Sequence, residues 1–329
     1  MPDRTLVEQL DQAIESLLAG ALPAADGDTE LAGLVTIARH LRDAPAEGFK
    51  TRLKTELQRR AVMTASTSTV AGVPTGFRTI TPFIIHDKAP QLVDFVKSTF
   101  EAEELKRDTT GEAYGFYSEV RIGDSVLMIG GGTAAEWGNL PGAFHVYVED
   151  CDAVYRRAVE AGAATLMGAM GEPADRPYGE RSAFVEDVFG NYWYIATRLA
   201  SARVAEGPSE GLGTVLPYVH LEGTRKYIDF LKRAFGAEEI AVYEHSGRVM
   251  HAAVRVGDAV LEMGEPDDRT GIPSNGFFLF VADVETAYAR ALAAGATAVR
   301  SPEDIPYGFQ SAIVKDPAGC LWWPARWIR

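Results

Sequence analysis

Residues 182–193, SAFVEDVFGNYW, return near the end of the chain as residues 311–322, SAIVKDPAGCLW, with Ser, Ala, Val, Asp, Gly and Trp keeping their places. Working outward, Pro177-Tyr178-Gly179 recurs as Pro306-Tyr307-Gly308, and Ala161-Gly162-Ala163 recurs as Ala294-Gly295-Ala296. Val120-Arg121-x-Gly123-Asp124-x-Val126-Leu127 recurs as Val254-Arg255-x-Gly257-Asp258-x-Val260-Leu261. Pro82, Asp94, Phe95, Lys97 and Phe100 answer to Pro217, Asp229, Phe230, Lys232 and Phe235. Matches in one unbroken order are the signature of an internal repeat. Residues 77–198 and 213–329 are therefore two copies of one domain, joined by a Ser/Ala/Glu/Gly/Pro linker over residues 199–212.

The second copy displays the pattern best. Val215–Leu221 is β-rich, Arg225–Phe235 has helical spacing, and Gly236 follows as a stop. Strands are expected at Ile240–Tyr243, Arg248–Val256 and Val260–Met263, with Gly257-Asp258 as a tight hairpin turn. The second half repeats the order: strand Phe277–Val281, helix Val284–Ala294, then strands near Ala296–Val299, Ser311–Lys315 and Leu321–Pro324. Each copy is a doubled βαβββ unit, and the fold class is α+β.

Residues 1–63 differ. Leu6, Leu10, Ile14, Leu17 and Leu18, then Leu31, Leu34, Val35, Ala38 and Leu41, recur at helical spacing. Three helices are expected, the third over Ala46–Met63 with a basic face, forming an appendage for docking or for a homodimer, tethered by a linker over residues 64–76.

The chain of 329 residues is 47% hydrophobic and 24% charged, within the globular range and outside the disordered one. Its 32 basic against 46 acidic residues give a net charge of −14, which disfavours nucleic acid and anionic membranes as partners. Two cysteines are too few for a disulfide framework, and neither a secretory leader nor a long apolar span is evident, so a cytoplasmic protein is expected. Gly130-Gly131-Gly132 lacks the spacing of a dinucleotide loop, and no Gly-x-Ser-x-Gly elbow occurs.

The doubled βαβββ pattern, the Asp-x-x-Gly-x-x-Trp segment before the last strand and the Ala-Gly-Ala after the second helix resemble the vicinal oxygen chelate superfamily of glyoxalases, bleomycin-resistance proteins and dioxygenases. The resemblance implies that each domain curls its sheet into a cup around a ligand or metal. Metal-dependent members place ligands on the first, fourth, fifth and eighth strands. Those places fall here on Thr81, Met128, Ala143 and Tyr194 in the first copy, and on Leu216, Glu262, Gly276 and Trp323 in the second. One carboxylate among eight positions implies that the usual metal site is lost, with a divalent metal left open in the second copy alone.

Two-residue periodicity separates the faces of each sheet. Pairing across Gly257-Asp258 puts His251, Ala253 and Arg255 on one face with Val260, Glu262 and Gly264, and leaves Val254, Val256, Leu261 and Met263 under the helices. If Leu216 holds the first ligand place, as the resemblance implies, Tyr218 and His220 of the first strand face the same way, and the second cup is expected to hold His220, His251 and Glu262 as candidate catalytic groups, and Tyr218, Arg255, Tyr307 and Trp323 as candidate ligand contacts. In the first copy, Tyr117 and Met128 stand where His251 and Glu262 stand in the second, and Phe83, His145 and Tyr178 complete a more aromatic cup. The expected function is binding of an organic small molecule, aromatic in type, without a cofactor; the alternative is a lyase, isomerase or ring-modifying enzyme acting through His251 and Glu262, by acid–base chemistry or with a metal.

Overall fold

The computed structural model describes residues 73–74, 76–111, 115–131, 138–199, 213–266, 275–305 and 308–328. The three helices expected over residues 1–63, and Tyr307, lie outside these residues. The chain divides into two compact units, Met1–Ser68 and Thr69–Arg329, and the second contains both copies of the repeat.

The first copy runs β1 (Ile80–Ile85), α1 (Ala89–Phe100), β2 (Glu103–Gly111), β3 (Gly115–Ile122), β4 (Ser125–Gly130), β5 (Ala143–Tyr147), α2 (Cys151–Glu160), β6 (Ala164–Thr165), β7 (Ala174–Asp175), β8 (Glu180–Glu186) and β9 (Tyr192–Arg198). The second runs β10 (Val215–His220), α3 (Thr224–Phe235), β11 (Glu238–His245), β12 (Arg248–Val256), β13 (Ala259–Gly264), β14 (Gly276–Phe280), α4 (Val284–Ala294), β15 (Thr297–Ile305), β16 (Phe309–Lys315) and β17 (Leu321–Trp327). Helix α3 ends at Gly236, whose positive φ of 69° lets its N–H reach back to the last turn, as the sequence predicts. The register of β12 on β13, with Ala253 opposite Glu262 and Val256 opposite Ala259, is the one the Gly257-Asp258 turn requires.

The strands of the two copies are shared between sheets. Among the described residues, one sheet has the order β15-β16-β17-β14-β1-β4-β3-β2 and the other β11-β12-β13-β10-β5-β9-β8-β6, with β7 on β8. The first half of each copy is thus continuous with the second half of the other, through antiparallel pairing of β1 with β14 and of β10 with β5. The helical side is organised differently. Leu92, Val96, Val154 and Trp193 belong to a core drawn almost wholly from the first copy, and Ile228, Leu231, Ala291 and Trp322 to one drawn almost wholly from the second. Each copy keeps its own core under its helices, while each cup is built from both.

The repeated hairpin turn locks this exchange. Asp124 accepts the backbone N–H of Thr214 at 2.7 Å, and Asp258 accepts that of Thr79 at 2.7 Å, so each copy's turn holds the entry to the first strand of the other. Gly123 and Gly257 sit at φ of +57° and +58°, and a Cβ at either would collide with the threonine hydroxyl opposite. Asn275 adds a further tie, accepting from Ala143 N and donating to Tyr218 O.

The repeated Asp-x-x-Gly-x-x-Trp segment also acquires a physical reason. Asp187 accepts from the N–H groups of Phe189 and Asn191 and from Trp193 Nε1; Asp316 accepts from those of Ala318 and Cys320, from Trp322 Nε1 and from Tyr227 OH. One buried carboxylate closes the turn and fixes the largest side chain of the core. Cys151 and Cys320 are both buried and free. No helix among the described residues is long and apolar enough to cross a membrane.

Candidate functional site

The inner face of the eight-stranded sheet encloses a cavity of about 320 Å³. Alternate residues of β1, β3, β4, β14, β16 and β17 point into it, and Phe83, Tyr117, Phe278, Phe309, Trp323 and Trp327 are among the rings that line it. The rings support one another: Phe83 meets Trp323 edge-on at 5.1 Å, Phe278 stacks on Trp323 at 6.3 Å, and Trp327 meets Phe309 edge-on at 4.5 Å. Such contacts hold aromatic planes in place without filling the space between them. Among the described residues, three ionisable side chains besides Tyr117 line the cavity: Lys106, Glu119 and Arg300. Tyr117 OH donates to Glu119 Oε1 at 3.0 Å, and Lys106 Nζ lies 3.9 Å from the same oxygen. Burial, reinforced by the neighbouring Glu119, raises the Tyr117 hydroxyl well above its usual pKa, so it stays a neutral donor.

The inner face of the nine-stranded sheet is built from the corresponding strands with the two copies exchanged, and it is ionic. Glu262, 5% exposed, lies at its base. His145 Nδ1 meets Glu262 Oε2 at 2.9 Å, His145 Nε2 lies 3.6 Å from Glu180, and His251 Nε2 lies 3.6 Å from Glu262 Oε1. Glu180 also accepts from Tyr147 OH at 2.9 Å. Above this chain, Tyr194 OH meets His220 Nε2 at 2.5 Å, and Tyr218 packs beside His220, His251 and Tyr194. Burial alone would depress the His145 pKa, but the charge of Glu262 and hydrogen bonds to Glu180 and Glu262 overcome it and hold the imidazole at about 10. Glu262 goes the other way: burial opposes its charge, and His145 and His251 restore it and hold the carboxyl well below the usual carboxylate range. Glu180 is lowered for the same reason against the same opposition.

These placements regroup the residues expected from sequence. His220, His251, Glu262 and Tyr218 do share a cup, with Arg255 further along the same face of β12. His145, expected beside Phe83 and Tyr117, instead reaches Glu262, and Trp323, expected beside Glu262, instead packs on Phe83. Tyr178, also assigned to the first copy's cup, follows its own half into the second sheet, where its hydroxyl meets Ser182 and the ring is 59% exposed. All three corrections have one cause: each cup takes its fifth to eighth strands from the other copy. Glu180, Phe278 and Phe309 were missed for the same reason; once the halves are exchanged, the alternation of β8, β14 and β16 identifies them.

Residues 222–323 match the family model Glyoxalase, of the Glyoxalase/Bleomycin resistance protein/Dioxygenase superfamily. An uncharacterized protein of Mycobacterium tuberculosis strain H37Rv is 28% identical over 137 residues, covering 39% of this chain and 78% of its own length. One from Mycobacterium bovis has the same identity and span and is covered over 88% of its length. Glyoxalase I from Zea mays shares the fold, with a TM-score of 0.55 at 16% identity, over 75% of this chain and 91% of the maize chain.

Proposed function

We propose that this chain, which belongs to the glyoxalase/bleomycin resistance protein/dioxygenase superfamily, binds an organic small molecule with a flat aromatic body in the cup of its eight-stranded sheet. The observation that carries the reading is the 320 Å³ aromatic cavity between β1, β14 and β17. Its volume matches the lower range of small-molecule pockets, and its few polar groups sit among rings, the arrangement that orients a ligand by stacking and selects it by a small number of polar contacts.

The proposal dispenses with a divalent metal in either cup. The strand positions that would carry ligands collect as Thr81, Met128, Gly276 and Trp323 in the aromatic cup, which offer no strong donor set. In the ionic cup they collect as Leu216, Glu262, Ala143 and Tyr194, and the nearby His145 turns one ring nitrogen to Glu262 and the other to Glu180. Among the described residues, no three His, Cys, Asp or Glu side chains converge as metal ligands would. The acid–base alternative at His251 and Glu262 ranks second. Glu262, which His145 and His251 hold ionised against its burial, is not poised to exchange a proton near neutrality, whereas a useful acid–base group titrates near its working pH.

Calorimetric titration with 2-naphthalenemethanol, a neutral flat probe, tests the reading. Saturable binding that weakens about tenfold in Trp327→Ala is expected, since an aromatic contact is worth about 1 kcal/mol or more. Absence of saturable binding to the folded protein overturns it. Turnover in the ionic cup that collapses in Glu262→Gln would instead favour the enzyme.

A further inference from the structure

We infer that the aromatic cavity selects an anionic ligand, a flat aromatic carrying a carboxylate or phosphate, and holds the anion between Lys106 and Arg300; the inference rests on the ligand-binding reading above. Lys106 lies on β2 and Arg300 on β15, the two edge strands of the eight-stranded sheet. They are as far apart in the strand order as two residues of this sheet can be, yet both line one cavity. Curling of the sheet therefore brings its edges to the same opening, and each edge presents a cation there. The rings of the interior arise from the central strands β1, β14 and β17. A ligand entering ring-first leaves its polar end at the lips, between the two cations.

The charges on the wall point the same way. Glu119, the one carboxylate among the lining residues described, already accepts from Tyr117 OH and has Lys106 3.9 Å away, so its charge is partly spent. Arg300 lines the same cavity and lies 3.7 Å from Glu303. Lys106 keeps half of its side-chain surface in water, over the face of Tyr117 at 5.6 Å. Among the described lining residues, two cations from opposite sheet edges face a single carboxylate that already has its partners. An anion gains charge-assisted hydrogen bonds there, while an organic cation of the same shape meets Lys106 and Arg300.

Three probes with one bicycle and three charges separate this proposal from the one beneath it: 2-naphthoate, 2-naphthalenemethanol and 2-naphthylmethylammonium, titrated calorimetrically at pH 7.5 into the full chain. The expected order is naphthoate tighter than the alcohol by about tenfold, one good charge-assisted pair, with the ammonium weakest. In the Lys106→Met/Arg300→Met double variant, which keeps apolar length and removes both charges, the naphthoate-to-alcohol ratio falls to about one. Equal binding of naphthoate and alcohol by the native protein overturns the proposal, as does a preference that survives the double variant. Tightest binding of the ammonium also overturns it and assigns selection to Glu119. In each of those cases the cavity still binds a ring. If none of the three binds, the ligand-binding reading fails together with the clamp. Circular dichroism of the double variant confirms that folded protein is being compared.

Discussion

The two cups are made from the same eight-strand plan with the copies exchanged, yet their floors are opposites. Where the eight-stranded sheet has Tyr117 and Met128, the nine-stranded sheet has His251 and Glu262. Where Trp323 stacks on Phe278 in one, His145 binds Glu262 in the other. The first arrangement leaves a cavity walled by rings; the second ties His145, His251, Glu180 and Glu262 to one another. The difference teaches that the lining can change character without disturbing the scaffold, because the helix-side cores lie on the other face of the sheets and belong to each copy separately.

The largest expected effects test what the cups have in common. Asp187→Ala and Asp316→Ala each remove a buried carboxylate from several donors, and each should cost about 3–5 kcal/mol in urea unfolding. Similar losses would mark the turn as shared scaffold; a large loss in one alone would break the equivalence of the two sheets. Glu262→Gln should cost about 3 kcal/mol, because it leaves the largely buried His145 facing a neutral amide. The reciprocal change, Met128→Glu, places a carboxyl among aromatic rings and should cost about 2–4 kcal/mol, with the new group titrating well above the usual carboxylate range. If Met128→Glu were neutral, the aromatic cup would be wetter than its lining indicates.

The pH dependence sharpens the contrast further. His145 is raised from 6.5 to about 10 in the folded chain, so below pH 6.5 it is charged in both states and its pairing contributes fully. Above that, the unfolded chain sheds its proton first, and stability declines until the folded pKa is passed. The native protein should therefore lose about 1–3 kcal/mol between pH 6 and pH 9.5 in denaturant melts, with a visibly flatter profile in Glu262→Gln. The smallest expected effect is in the aromatic cup: Trp327→Ala, at a ring 49% exposed, should change stability by less than about 1 kcal/mol while weakening 2-naphthalenemethanol about tenfold.

Much of this was legible beforehand at the level of strands and faces. The periodicity of Arg248–Val256 and Ala259–Gly264 identified both the apolar face under α3 and the face bearing His251 and Glu262, because a two-residue turn and a two-residue repeat leave one register. The limits of α4 and the stop at Gly236 were legible for the same local reason. The cast of the candidate sites was legible too, but not its grouping. His145 and Glu262, hydrogen-bonded at 2.9 Å, stand in different copies, and no periodicity within either says that they meet.

The sequence by itself determined the repeat, the α+β units, the inward residues of the strands and the twin Asp turns, all of which depend on neighbours along the chain. Only the tertiary structure decided which halves share a sheet. That choice is made where β1 meets β14 and β10 meets β5, and where Asp124 and Asp258 reach Thr214 and Thr79 across the copies. Both halves of either copy offer a compatible strand edge, so the pattern within one strand cannot name its partner. The partner is selected by contacts between residues far apart in the chain, and with it the membership of each cup.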